Sequence, residues 1–119
     1  MARILIAEDD DSMRGFLARA LRRAGHEVEA AEDGLSAESA IGREEFDLLI
    51  ADIVMPGLDG VELARRACLE RPALRVMFIT GFAAVALQTR QSQPRETKIL
   101  SKPFHLRELV DQVEEMLAA

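Results

Sequence analysis

Side chains that could do chemistry follow four short apolar runs. They are the acids at 8–11 after residues 4–7, Asp52 after 48–51, Thr80 after 76–79, and Lys102 after 99–101. If these runs are strands of one parallel sheet, their carboxyl ends share an edge, and open α/β sheets bind their ligands at that edge. Carboxylates, a hydroxyl and an amine would then lie close together.

Carboxylates gathered at one edge would repel each other, and a hard divalent cation with oxygen ligands is the simplest relief. Mg²⁺ is the expected cation, with Asp9 and Asp52 as direct ligands. Because Mg²⁺ favours phosphate oxygens, such a site suits phosphoryl transfer to a carboxylate. Asp52 is then the predicted nucleophile, forming an acyl phosphate. Lys102 would supply positive charge to the phosphoryl oxygens, and the Thr80 hydroxyl would donate a hydrogen bond to one of them.

The elements that must position these residues are predicted by apolar runs that alternate with stretches of helical period. We expect an α/β fold of five βα units, a flavodoxin-like, doubly wound parallel sheet of five strands in the order 2-1-3-4-5. Strand 3 would be central, and strand 5 would lie about 10 Å from Asp52. Only a long side chain such as that of Lys102 could reach back across that distance.

Capping residues, glycines and prolines predict where the helices begin and end. The first begins at a cap formed by Asp11 or Ser12 and stops at Gly25, and its inward positions are Met13, Phe16, Leu17, Ala20, Leu21 and Ala24. Residues 27–31 alternate as an edge strand would. Further helices are expected from Asp33 to about Gly42, from Asp59 to Arg71, and from about His105 onward. Between the third and the last we expect a short helix at 83–87 followed by a mobile loop.

Composition limits the partners. The 119 residues make one domain, and a formal charge of -6 argues against nucleic acid. No apolar stretch approaches the roughly 18 residues of a membrane-spanning helix, and no secretory signal is seen. We therefore expect a cytoplasmic protein that does not associate with a membrane. The single Cys68 has no partner for an internal disulfide and is predicted to be core-facing or half-buried.

The ordered set of acidic pair, Asp52, Thr80 and Lys102-Pro103 resembles the receiver domain of two-component response regulators. That resemblance covers essentially residues 1–119 and implies a receiver without an output domain. It implies that Asp52 accepts a phosphoryl group from a histidine kinase or histidine phosphotransferase. It also implies a cis Lys102–Pro103 bond, and Mg²⁺ held by Glu8, Asp9, Asp52 and the backbone carbonyl of Val54.

Three positions depart from the usual receiver pattern. Ile99 stands where the family usually has an aromatic residue that moves with the threonine. Val54 and Phe82 replace residue types that govern water access to the acyl phosphate. We therefore do not expect the movement of an aromatic side chain that is usually coupled to the movement of the threonine. No acyl-phosphate lifetime follows from the sequence.

Residues 75–87 and 99–107 look like those of the CpdR family, stand-alone receivers of alphaproteobacteria. This closer resemblance implies that the unphosphorylated form primes the ClpXP protease for selected substrates and that phosphorylation turns this activity off. The ending Leu117-Ala118-Ala119 is similar to that of tags that ClpX engages, although alanine-rich helix ends are common.

Other functions use similar residues. A CheY-like receiver could instead serve as a phosphorelay intermediate or act on another protein target. A phosphatase of the haloacid-dehalogenase type also uses a strand-end aspartate, but it needs a general-acid Asp where this chain has Val54. A flavin or nucleotide binder needs a glycine-rich loop where four acids stand. We expect a phosphoacceptor that modifies itself, not an enzyme that turns over a separate substrate.

Overall fold

The computed structural model describes residues 2–81 and 98–118. Its strands are β1 (Arg3–Ala7), β2 (Glu27–Ala31), β3 (Leu48–Asp52), β4 (Arg75–Thr80) and β5 (Lys98–Ser101), and its helices are α1 (Asp11–Arg23), α2 (Gly34–Arg43), α3 (Gly60–Glu70) and α4 (Leu106–Ala118). The predicted helix at 83–87, the loop after it and Phe82 lie outside the described residues. No helix in the described part is long and apolar enough to cross a membrane.

The strands form one parallel sheet in the order β2-β1-β3-β4-β5, as predicted. All five residues of the central strand β3 are buried, because helices cover both faces of a parallel sheet. The edge strand β2 is less buried than β3, since only its last residue, Ala31, is buried and Ala30 is exposed. This arrangement brings the ends of β1, β3, β4 and β5 to one edge of the sheet.

Two apolar layers hold the helices on the sheet. On one face, Leu5, Leu49 and Phe78 pack with residues of α2 and α3. On the other face, Ile6, Ile50 and Met77 pack with residues of α1 and α4. Successive strand residues point to opposite faces, so one apolar run serves both layers. Cys68 is half-buried as predicted, and burial raises the pKa of its thiol.

Helix α1 differs from its prediction at three places, and one of them is Ala24, which was predicted to point inward but is exposed. Its cap is Asp10, whose carboxylate accepts the Met13 N–H at 2.8 Å, and not Asp11 or Ser12. Phe16 was predicted to point inward but is 51% exposed, with the Arg19 guanidinium over its ring at 5.8 Å. The buried face of α1 consists of Leu17, Ala18 and Leu21. The predicted stop is confirmed, since Gly25 has a φ of 99°, a value that favours glycine.

Gly60 lets α3 begin directly beside the end of β3. Its N–H donates to the Ile53 carbonyl at 3.0 Å, and a Cβ at this position would lie 2.1 Å from the Asp52 carbonyl oxygen. Asp59 caps the helix by accepting the Glu62 N–H at 2.9 Å. The small residue therefore fixes the path of the chain just after Asp52.

Candidate functional site

Asp52 ends the central strand with its carboxylate held at both oxygens. Oδ1 accepts the Val54 N–H at 3.1 Å, and Oδ2 accepts a hydrogen bond from Lys102 Nζ at 3.1 Å. The residue is 6% exposed. The carboxylate is therefore largely buried and contacts Lys102, one of the residues that the sequence predicted as its companions.

Glu8 follows β1 and is fully buried beside Asp52. Its Oε1 accepts a hydrogen bond from Lys102 Nζ at 3.1 Å, and its Oε2 accepts the Asp10 N–H at 3.2 Å. Burial, followed by the neighbouring Asp52 carboxyl, raises the pKa of Glu8 to about 7. The Asp10 amide and the Lys102 ammonium oppose that rise but are outweighed. The ionised form of Glu8 thus depends on a nearby cation.

Lys102 supplies that positive charge in the present arrangement. Burial lowers the pKa of its ammonium, but hydrogen bonds to Asp52 and Glu8 outweigh burial and leave the pKa raised. The Lys102 N–H donates to the Thr80 carbonyl at 2.7 Å, which ties this residue to the end of β4. The Lys102–Pro103 peptide bond is cis, as the resemblance implied. The long side chain reaches Asp52 as predicted.

Asp9 completes a set of three acids. Carboxylate oxygens of Glu8, Asp9 and Asp52 lie within 4.8 Å of one another, and Asp9 is exposed. Three hard oxygen donors that converge in this way fit the ligand preference of Mg²⁺, which also retains several waters. Val54, whose backbone carbonyl was the fourth predicted ligand, lies two residues beyond Asp52 with a side chain that is 47% exposed.

Thr80 lies at the end of β4, next to the strand that carries Asp52. It is fully buried, and its register partner on β5 is Ser101. The adjacent strands β3 and β4 are separated by about 5 Å, so Thr80 ends its strand beside the end of β3. The structure therefore brings Glu8, Asp9, Asp52 and Lys102 together at one site and places Thr80 at the end of the neighbouring strand.

Two contacts were not predicted. Arg14 donates from Nη1 to the Glu8 carbonyl at 2.9 Å, and its spacing of three from Asp11 was the signal available in the sequence. The second contact is made by His26. Its Nδ1 accepts the Ala2 N–H at 3.2 Å and its Nε2 lies 2.8 Å from Glu114, a residue 88 positions away. His26 lies at the opposite edge of the sheet.

Comparisons with known proteins agree with this geometry. The family model of the response regulator receiver domain matches residues 4–114. The chain is 56% identical over 119 residues to the response regulator receiver protein CpdR of Brucella abortus, covering 100% of this chain and 99% of that protein.

Solved structures are similar as well. The receiver domain of the hybrid histidine kinase CckA superposes with a TM-score of 0.83 at 35% identity, covering 97% of this chain and 98% of that one. The response regulator TrrA of Thermotoga maritima, solved in complex with Mg²⁺ and BeF, superposes with a TM-score of 0.85 at 26% identity, covering 98% and 99%.

Proposed function

The chain belongs to the response regulator receiver family, and on that premise we propose that it is a switch controlled by phosphorylation of Asp52. The phosphoryl donor is the phosphohistidine of a histidine kinase or histidine phosphotransferase. The observation that carries the proposal is the placement of the Asp52 carboxylate against Lys102 and within ligand distance of Glu8 and Asp9.

In the transfer step, a carboxylate oxygen of Asp52 attacks the phosphorus of the phosphohistidine. A P–O bond forms while the P–N bond breaks, and the electron pair stays on the imidazole nitrogen of the donor. Lys102 gives positive charge to the phosphoryl oxygens, and the Thr80 hydroxyl donates to one of them once the group is present. When bound by Glu8, Asp9, Asp52 and the Val54 carbonyl, Mg²⁺ would offset the negative charge of the transferred group.

A phosphorylation assay tests this proposal. The protein is incubated with acetyl phosphate and Mg²⁺, and the gain of one phosphoryl group is followed by mass spectrometry of the intact chain. We expect modification of the wild type and none of Asp52→Asn. Asp47→Asn is the matched control, because Asp47 lies just before the same strand at its opposite end, where its carboxylate accepts the Arg3 N–H. Equal modification of Asp52→Asn would overturn the proposal.

We propose further that the unphosphorylated form is an adaptor that primes ClpXP for selected substrates. Support comes from the 56% identity to Brucella CpdR over 119 residues. Both roles would be carried out in the cytoplasm, which is the location that we propose. Phosphorylation of Asp52 would then end the priming.

A degradation assay with purified ClpXP separates this adaptor role from the receiver role. Wild-type protein should accelerate loss of a cognate substrate, and beryllofluoride with Mg²⁺ should remove that acceleration. Asp52→Asn should accelerate degradation whether or not beryllofluoride is present. Equal degradation rates with and without the protein would remove the adaptor role and leave the alternative, a CheY-like relay intermediate or regulator of another target.

A further inference from the structure

Arg14 turns its side chain back from α1 toward the end of β1. Its Nη1 donates to the Glu8 carbonyl at 2.9 Å, and its Nη2 pairs with the Asp11 carboxylate. The side chain is 19% exposed, whereas that of Asp11 is 89% exposed. A cation near the N-terminus of a helix is opposed by the helix dipole. Its two acceptors therefore have to compensate for that placement.

The same residue contacts both neighbours of Asp9. The Arg14 backbone N–H donates to the Asp10 carbonyl at 2.9 Å, a helical bond that almost any residue would make. The guanidinium contact with the Glu8 carbonyl depends on the arginine side chain alone. Asp9 is exposed, so surrounding side chains do not enclose its carboxylate. The backbone on either side of Asp9 sets the direction of its Cα–Cβ bond and hence the region that the carboxylate can reach.

Other bonds hold the rest of this turn. The Glu8 N–H donates to the Ala31 carbonyl at 3.1 Å, and the Asp10 N–H donates to the Glu8 carboxylate at 3.2 Å. The first bond holds the backbone N–H of Glu8 against β2, and the second holds the Glu8 carboxylate against the backbone of Asp10. The plane of the peptide unit between Glu8 and Asp9 is set from its carbonyl side, where Arg14 lies.

We propose that Arg14 is a positioning residue for the cation site. It orients the peptide unit between Glu8 and Asp9, so that both carboxylates are presented together with Asp52. The proposal rests on the proposed function, since it concerns the Mg²⁺ that serves phosphorylation. Arg14 itself touches neither the cation nor the phosphoryl group and acts through the backbone of the acids.

Charge and positioning predict opposite effects of removing this side chain. Loss of a positive charge near three acids, taken alone, should strengthen Mg²⁺ binding. Loss of the contact with the Glu8 carbonyl should weaken binding, because the ligands are no longer held in place before the cation arrives. The sign of the change therefore distinguishes the two roles.

The test is a Mg²⁺ titration followed by backbone amide NMR of the wild type, Arg14→Met, Arg14→Lys and Arg19→Met. We expect Arg14→Met to bind Mg²⁺ roughly fivefold more weakly. Arg14→Lys, which keeps the charge and a donor, should fall between this variant and the wild type. Arg19→Met is the control, because it removes the same charge from an exposed position on the same helix and should bind like the wild type. Unchanged or tighter binding by Arg14→Met would overturn the proposal.

Two further measurements keep the outcomes distinct. Thermal unfolding shows whether each variant is folded, and if Arg14→Met is not, Arg14→Lys decides, since wild-type affinity in that variant contradicts positioning. Phosphorylation by acetyl phosphate is measured in parallel. Wild-type protein that is not modified at Asp52 would refute the proposed function. Modified wild type with an unaffected Arg14→Met would refute only the role of Arg14.

Discussion

At the scale of single residues, the site is a balance between three acids and one ammonium. Lys102 contacts Glu8 and Asp52 at 3.1 Å each, and it occupies the region where a cation would be held. Glu8 is fully buried, so its ionised form is unfavourable without that positive charge. Without a bound cation, the Lys102 ammonium therefore reduces the repulsion between the carboxylates that would bind one.

The raised pKa of Glu8 makes stability depend on pH. Between the ordinary pKa of 4.5 and the folded pKa of about 7, the Glu8 carboxyl binds more protons in the folded state than in the unfolded state. The contribution of Glu8 to stability is therefore most favourable below pH 4.5 and is lost as pH rises through 7. The Glu8 contribution to this loss is at most about 4 kcal/mol, because the two pKa values differ by about 2.5 and each pKa unit corresponds to about 1.4 kcal/mol. Urea unfolding without Mg²⁺ should show this loss in the wild type and not in Glu8→Gln. Parallel pH profiles of the two proteins would contradict it.

Lys102→Met should separate cation binding from phosphorylation. Without the competing ammonium, Mg²⁺ should bind more tightly, by roughly tenfold or about 1.4 kcal/mol. Phosphorylation by acetyl phosphate should nevertheless slow, because the positive charge on the phosphoryl oxygens is lost. Lys98→Met is the control, since Lys98 begins β5 and faces Glu115 at 3.6 Å. Faster phosphorylation of Lys102→Met would refute the role given to Lys102.

Among the secondary-structure elements, helices α1 and α3 begin close to the acids of the site. Asp10, Asp33 and Asp59 cap the first three helices through their carboxylates. These caps satisfy amides that a helix N-terminus leaves unbonded. The loops that carry Asp9 and follow Asp52 are thereby anchored at their far ends.

Gly60→Ala should be far more damaging than Gly15→Ala. A Cβ at Gly60 would lie 2.1 Å from the Asp52 carbonyl oxygen and 2.8 Å from its carbon, whereas at Gly15 the nearest atom is the end of the Arg19 side chain at 3.5 Å. We expect Gly60→Ala to cost about 2 kcal/mol or more, and Gly15→Ala to stabilise α1 by up to about 1 kcal/mol. Urea unfolding measures both. Equal stability of the two variants would show that α3 can shift away from β3.

In the molecule as a whole, distant parts of the chain contact each other at the amino-terminal ends of the strands, opposite the site. His26 accepts the Ala2 N–H and bonds Glu114, so it joins the starts of β1 and β2 to α4. The His26 side chain is 4% exposed and that of Glu114 is 52% exposed. The functional edge and the edge held by His26 therefore lie at opposite ends of the same strands.

His26→Ala should destabilise the fold by about 1–3 kcal/mol, because the buried Ala2 N–H loses its acceptor. Glu114→Ala should cost less, about 1 kcal/mol or below, since its carboxylate is half-exposed. A double-mutant cycle by urea unfolding gives the coupling between them. A cost for His26→Ala no larger than that for Glu114→Ala would argue against a structural role of the buried imidazole.

The order of the strands, their ends and the acids that follow them could be predicted from the amino-acid sequence. Apolar runs and glycine and proline signals are local, and parallel strands leave few topologies to choose from. Glu8, Asp9, Asp52, Thr80 and Lys102 could be grouped for that reason. Their chemical roles remain predictions for the experiments above.

The amino-acid sequence could not predict which distant side chains contact each other or which face of helix α1 is buried. The exposure of Phe16, the guanidinium contact with the Glu8 carbonyl and the bond between His26 and Glu114 depend on how packed elements are rotated and spaced. Sequence periodicity gives an apolar stripe but not its centre, and residues 88 positions apart leave no local signal. Contacts of this kind are fixed by close packing of the whole core.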